Sequence, residues 1–417
     1  MPKPRHRVAV ISIDGFAAFY WRDDRARLPV LRGLADRGAV AAGVETVFPS
    51  TTWPTHTSLV TGVSPRVHGV IANSILNRTT REREDLTGDP IYDASVLLRV
   101  PTVYDRAHAA GLRTAAIDWP ATRHARTLDF NLPFFKDQRV FEAHTARVVW
   151  EELTALGYPM DRQGEWAQLP KRFLKDAMVA SVAAHVVERH APDLLLVHFL
   201  CVDSLQHLHG PRSPEAFWAL DYVDGLIGRL LGTLRPDTTV FVVSDHGFLP
   251  STREIRPNAR LRALGADREA RFVTNHGAGG LYALEADRGT IVQLTAEIAK
   301  MTGVSGAWTS AEYDTLGLPV PADNGLVADA MFEAEPGYAF GEDGGAEEYG
   351  APKYLGNHGQ RGMYPDNHAL FVAAGPAIRR GVQLAVIRSR DVAPTVAAAL
   401  GLGMPDIEGI ALASALG

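Results

Sequence analysis

Three carboxylates and three imidazoles stand out among the 417 residues for a chemistry they could share: Asp14, Asp203, Asp245, His207, His246 and His358. Asp203 and His207 are four apart, so on a helix they occupy one face. Asp245 and His246 are adjacent, and on a turn, where strand alternation has ended, both can face one ion. His358 lies between Asn357 and Gly359, and Gly356 and Gly359 permit close backbone approach to a ligand. Oxygen and nitrogen donors without cysteine suit zinc and, less selectively, manganese or iron. Six protein ligands exceed what one tetrahedral zinc uses. Two neighbouring ions fit better, the arrangement that clamps attacking and leaving oxygens in phosphoryl transfer. Each motif alone also has a plain reading, an aspartate accepting turn N–H groups or a solvated loop histidine.

A nucleophile is available in the stretch Phe48-Pro49-Ser50-Thr51-Thr52-Trp53-Pro54-Thr55-His56. Pro54 suits the first turn of a helix, so Thr52 is expected at or just before a helix N-terminus, the end that favours negative charge. A threonine there also serves as an ordinary N-cap. Its hydroxyl holds the proton too tightly to attack unaided, but bound to a metal ion it loses that proton near neutral pH.

Bringing these residues together requires strands that end at one edge. Residues 8–13 run apolar into Asp14, 194–202 into Asp203 and 238–244 into Asp245. Three strands ending in aspartate point to a shared site beyond the carboxyl ends of a parallel sheet. The spacing predicts further strands over 39–47, 112–117 and, as the last, 369–373. It predicts helices over 28–37, 102–110, 144–156, 174–190, 214–234 and 390–400. The fold class expected is α/β, a largely parallel central sheet with helices on both faces. Residues 73–100 are polar and read as an exposed excursion. Residues 250–355 lack the strand-helix rhythm and read as an inserted cap, beside a core made of 1–250 and 355–417.

A formal charge of −6 with 46% hydrophobic and 22% charged residues gives no reason to expect a nucleic-acid polymer or a membrane as partner. Any attraction for phosphate is local. The one cysteine, Cys201, precludes an intrachain disulfide and lies in an apolar run as a small core residue. No apolar run approaches the roughly 20 residues of a membrane span, and residues 8–13 are too short for a signal-peptide core. The location expected is cytoplasmic.

In chain order, Ile13-Asp14-Gly15, Phe48-Pro49-x-x-Thr52-Trp53-Pro54-x-His56, Thr61-Gly62, His68-Gly69, Asp203-x-x-x-His207-x-His209-Gly210-Pro211, Ser244-Asp245-His246-Gly247 and Gly356-x-His358-Gly359 span residues 13 to 359. The set resembles the alkaline phosphatase superfamily and, within it, the nucleotide pyrophosphatase/phosphodiesterase family. That resemblance implies two zinc ions, one held by Asp14, Thr52, Asp245 and His246, the other by Asp203, His207 and His358. It implies in-line attack of Thr52 on phosphorus, a phospho-threonine that water then hydrolyses, and Asn73 donating to a non-bridging phosphate oxygen. The substrate implied is a small phosphorylated molecule, possibly a nucleotide. Where the family often has lysine before the nucleophile and phenylalanine after it, this chain has Thr51 and Trp53. Trp53 could flank a base, and Trp119-Pro120 resembles a family segment near the substrate group.

The activity expected is cleavage of a phosphodiester or pyrophosphate. The same site would serve a phosphate monoesterase or a phosphonoacetate-like hydrolase, and the superfamily core also serves metal-dependent phosphomutases. A non-catalytic phospholigand-binding protein is the rival of another class. No Arg or Lys adjoins Thr52, which favours the diester, because a monoester brings more charge to neutralise.

Overall fold

The structure, a computed structural model, describes residues 7–87, 92–342 and 345–417. The basic stretch before Arg7, and parts of the polar 73–100 segment and of the Gly- and acid-rich loop after Glu335, lie outside the described residues.

Apolar, β-branched runs form the centre. Arg7–Ile13, Leu194–Phe199 and Thr238–Val243 are buried almost throughout, as strands covered on both faces must be. They lie in an eight-stranded sheet of spatial order Val382–Arg388, Gly38–Glu45, Phe371–Ala374, Thr238–Val243, Arg7–Ile13, Leu194–Phe199, Thr114–Ile117, Phe130–Leu132. Phe371–Ala374 runs antiparallel to both neighbours, and the other pairs are parallel. Along the first strand, side chains alternate between faces. Ala9, Ile11 and Ile13 pack with residues of helices Pro29–Ala35, Arg172–His190 and Pro214–Leu231. Val8 and Val10 pack with those of Thr52–Thr61, Val103–Ala109 and Val392–Ala399. The fold is α/β, a mostly parallel sheet with helices on both faces.

Local competition moves several boundaries. The apolar run 194–202 is not one strand: it stops at Phe199, and Cys201–His209 is a helix. The cause is Asp176, whose carboxylate accepts the N–H groups of Leu200 and Cys201 at 2.9 and 2.8 Å and caps that helix from a neighbouring one. Asp203 therefore sits in a first helical turn rather than at a strand end. The helix expected over 144–156 is two, Gln138–His144 and Arg147–Ala155, broken where the Ala146 N–H leaves to bond the Asn131 carbonyl at 2.7 Å. Phe371–Ala374 is not the last strand, because Val382–Arg388 adds a half-exposed edge. Nor is 73–100 simply exposed. Ile75, Leu76 and Leu86 are buried, and Ser74–Leu76 pairs with Arg83–Asp85 in a short hairpin.

Between Thr238–Val243 and Phe371–Ala374 the chain builds an antiparallel sheet ordered Ala270–Asn275, Ala278–Ala283, Ala330–Ala334, Val304–Thr309, with its own core around Phe272, Leu281, Ile298 and Phe332. A second small sheet centres on Leu249–Ile255 and receives Gly356–Asn357, just before His358. Among the described residues no helix is long and apolar enough to cross a membrane. Cys201 is buried.

One ion pair, with its carboxylate buried and its guanidinium partly exposed, ties this outer layer to the loop that carries His358. Glu333, fully buried on its strand, accepts from the Arg361 backbone N–H at 2.6 Å and from its guanidinium at 2.9 to 3.2 Å. Arg361→Ala leaves that carboxylate buried without its cation and is expected to cost about 3 kcal/mol of stability. Glu333→Gln, which removes the charge that needs pairing, is expected to cost less. Urea unfolding of the two variants ranks them, and a reversed order would refute this account.

Candidate metal centre and active site

Thr52 is the first residue of helix Thr52–Thr61; extended Thr51 precedes it and makes no side-chain cap bond. Gly62, at φ 74°, ends the helix in the left-handed conformation. The Trp53 N–H donates to Asn73 Oδ1 at 2.9 Å, and the same amide turns its Nδ2 to Thr52 Oγ1 at 3.4 Å. One side chain from the following loop thus joins the helix N-terminus to the hydroxyl.

Two buried donor groups converge beside Thr52. In one, His246 Nε2 stands 3.3 Å from Asp14 Oδ1 and 3.3 Å from Asp245 Oδ2. In the other, Asp203 Oδ1 lies 3.1 Å from His207 Nε2 and 3.8 Å from His358 Nε2. The rings of His246 and His358 stack at 3.6 Å, so the groups are contiguous. His207, His246 and His358 each donate Nδ1–H to a backbone carbonyl, of Gly356, Gly247 and Ser50 respectively, at 2.9 to 3.0 Å. Those bonds fix the tautomer and aim each Nε2 lone pair inward. Asp14 Oδ1, Asp203 Oδ1, Asp245 Oδ2 and His246 Nε2 are buried without a hydrogen-bond partner. Acceptors facing acceptors in a buried place are costly unless a cation joins them. The residues fit divalent ions.

Titration follows the same crowding. Burial works to raise Asp14, but the His198 and His246 imidazoles, each 3.3 Å from its carboxylate, outweigh it and hold the carboxyl well below its ordinary range. Burial, reinforced by the Asp14 charge, raises Asp245. Burial opposes protonation of His246, yet Asp245 and Asp14 overcome it and lift the imidazole to about 9. Burial, with His198 next, holds His56 well below 6.5. The 3.5 Å contact of His56 with Asp245 is therefore not an ion pair.

All seven residues expected as metal ligands come together here. Trp53 lines the cleft above them, with its ring edge-on to Phe134. Trp119 does not reach the cleft wall; it is buried behind, edge-on to His56. Gly356 and Gly359 make room for backbone rather than for ligand. A Cβ on Gly356 would lie 2.6 Å from the Gln206 carbonyl, and one on Gly359, at φ 115°, 2.6 Å from that of Asn275.

Sequence reasoning missed His198, 3.3 Å from Asp14, although an imidazole inside the apolar run Leu194–Phe199 was a legible signal. It missed His276, and it missed cations. Arg83, Lys136, Arg172 and Lys353 line the cleft, about 470 Å³ in volume, from positions far from Thr52 in sequence. Arg172 is 3.5 Å from Asp203 Oδ2, and Arg83 is bonded to Asp85 and Glu342.

Known proteins share this framework. The sequence pattern described as type I phosphodiesterase / nucleotide pyrophosphatase matches residues 8–361. An uncharacterised pyrophosphatase/phosphodiesterase of Schizosaccharomyces pombe is 28% identical over 59% of this chain and 45% of its own length. Human ectonucleotide pyrophosphatase/phosphodiesterase family member 1 is 27% identical over 57% of this chain and 23% of its own length. The matches thus span less than half of these two relatives. The mouse bis(5'-adenosyl)-triphosphatase enpp4 is 22% identical over 95% of this chain and 78% of its own. Among solved structures, murine ectonucleotide pyrophosphatase/phosphodiesterase 5 superposes with a TM-score of 0.73 at 20% identity over 97% of both chains. One structure of that protein is an inactive threonine-to-alanine form in complex with AMP.

Because Asp245 and Asp14 favour a proton on His246 when no ion is present, an ion binding there must displace it. Uptake of a divalent ion at pH 7 is expected to release about one proton from this residue and a fraction of one from Asp245, raised to about 7, so apparent affinity is expected to rise at least tenfold per pH unit between pH 6 and 8. Calorimetry in buffers of different ionisation enthalpy measures the release. Affinity that is independent of pH between 6 and 8 would contradict it.

Proposed function

Because the chain belongs to the type I phosphodiesterase / nucleotide pyrophosphatase family, we propose that it is a metal-dependent hydrolase of phosphodiester or pyrophosphate bonds in small phosphorylated molecules, nucleotides among them. The observation that carries this reading is the convergence of six ligand-type side chains, several with unpaired lone pairs, on one hydroxyl at a helix N-terminus. Asp14, Thr52, Asp245 and His246 would hold one ion, and Asp203, His207 and His358 the other; the donor set suits zinc, with manganese or iron as alternatives. When bound, the ions supply positive charge to the phosphate and acidify the Thr52 hydroxyl.

The chain's own groups do the rest. Thr52 Oγ1 forms a bond to phosphorus as the bond to the leaving oxygen breaks. Water then forms the second P–O bond and releases threonine. The helix N-terminus favours the anion, and Asn73 Nδ2, already directed at Thr52 Oγ1, donates to a phosphoryl oxygen in a site largely screened from water. Trp53 and Phe134 offer apolar surface to a leaving group.

A second reading, phosphate monoester or phosphonate hydrolysis, gains from the cleft cations that the sequence hid. Carboxylates already engage Arg83 and Arg172, so less of that charge is available to a dianion, and the diester remains the first choice. A phosphomutase would instead move phosphate between positions of one sugar.

Thr52→Ala is expected to lower turnover of a nitrophenyl phosphodiester about 1,000-fold or more while both ions remain bound. Equal turnover would remove Thr52 from the chemistry. Asn73→Ala is expected to lower kcat about 100-fold, with a smaller change in KM. Comparing nitrophenyl diester, nitrophenyl monoester and phosphonoacetate with zinc and with manganese tests the substrate class. The diester is expected to be fastest, and a strong monoester preference would overturn that assignment.

A further inference from the structure

The tripeptide Asn-His-Gly occurs at Asn357-His358-Gly359 and again at Asn275-His276-Gly277. The second copy forms the tight turn between strands Ala270–Asn275 and Ala278–Ala283. The two turns interlock. The Gly277 N–H donates to the His358 carbonyl at 2.7 Å, and the Asn275 carbonyl occupies the space that a Cβ on Gly359 would need. Asn275 also bonds both backbone groups of Ser74, at 2.8 and 2.9 Å, and the His276 carbonyl accepts from the Phe340 N–H at 2.8 Å. The turn is braced from three sides.

Its tip is directed at the metal centre. The His276 ring lies 4.7 Å from those of both His207 and His358, and the three side chains offer nitrogen atoms within 4.8 Å of one another. His276 is half-buried on the cleft wall, and among the described residues its ring nitrogens have no hydrogen-bond partner. Its backbone sits at φ 61°. Glycine meets that conformation without strain, whereas a Cβ-bearing residue there is strained. A strained imidazole held in place by its neighbours and turned toward two others indicates a role for the side chain rather than for the turn.

We propose that His276 is a fourth protein ligand of the ion held by Asp203, His207 and His358, and that this bond fastens the outer hairpin to the catalytic core. The proposal rests on the di-metal reading above. Asp203, His207, His358 and His276 would together supply the four protein donors that a closed zinc site uses. Beside the group Asp14, Asp245 and His246 stand Thr52 and the core imidazole of His198, 3.3 Å from Asp14 Oδ2, rather than a residue of the outer hairpin. The two ions would then differ: one closed by the hairpin, the other open to the nucleophile.

The test compares the wild-type chain with His276→Gly, which relieves the positive φ and so should fold, and with His276→Asn, which tolerates it. Each is stripped by a chelator and titrated with zinc and with cobalt(II). Calorimetry reads stoichiometry and affinity, the cobalt visible spectrum reads ligand change, and hydrogen exchange reads residues 270–283. The expected result is two ions on the wild type, one of them bound about tenfold or more weakly by the glycine variant. An altered cobalt spectrum and loss of the metal-dependent protection of 270–283 should accompany it. Two ions bound with unchanged affinity, spectrum and protection in the variants would overturn the His276 proposal and leave the di-metal reading intact. A wild-type chain that takes up no ion would overturn both.

Discussion

Lone pairs aimed at one another in a buried place are the constraint on which the rest of this structure depends. Asp14 Oδ1 and Asp245 Oδ2 both stand 3.3 Å from His246 Nε2, and Asp203 Oδ1 faces His207 Nε2 at 3.1 Å. Unpaired carboxylates strongly resist burial. Protons on His246 and His198 relieve part of that cost, and divalent ions would relieve more of it by joining several acceptors at once. The surrounding protein must hold these groups close despite their repulsion.

Much of the architecture serves that purpose. Parallel strands deliver Asp14 and the Ser244-Asp245-His246 turn to one edge. Asp176, pushed up to about 6 by burial, caps the helix that presents Asp203 and His207 on one face. Carbonyls of Ser50, Gly247 and Gly356 hold three imidazoles in one tautomer. The outer layer adds the Glu333–Arg361 pair and a hairpin turn locked onto the His358 loop. Thr52 lies where a helix N-terminus and the bound ions would favour the same anion.

The parts of the site that follow local rules were legible in the chain. Asp203 and His207 share a face because four residues make about one helical turn, and Thr52 starts a helix whose third residue is Pro54. Boundaries set by distant partners were not. Residues 194–202 are uniformly apolar, and nothing within them marks the stop at Phe199, because the capping carboxylate is 24 residues away. His276 escaped notice for the same reason: its turn looks like any hairpin turn until His207 and His358 stand beside it. The cations of the cleft come from a hairpin, a helix start and two loops, so none of them adjoins Thr52 in the sequence.

By itself the sequence determined the α/β class, the hydroxyl at a helix start and the set of ligand-type side chains, since strand periodicity, helix starts and donor chemistry are local properties. Tertiary structure alone decided which donors stand together, which lone pairs are left unpaired, which imidazoles outside the motifs lie beside them, and how much charge borders the cleft. Those depend on distances of 3 to 5 Å between residues tens to hundreds of positions apart, such as His276 and His207 or Asp14 and Asp245. Only the closing of the chain on itself sets such distances.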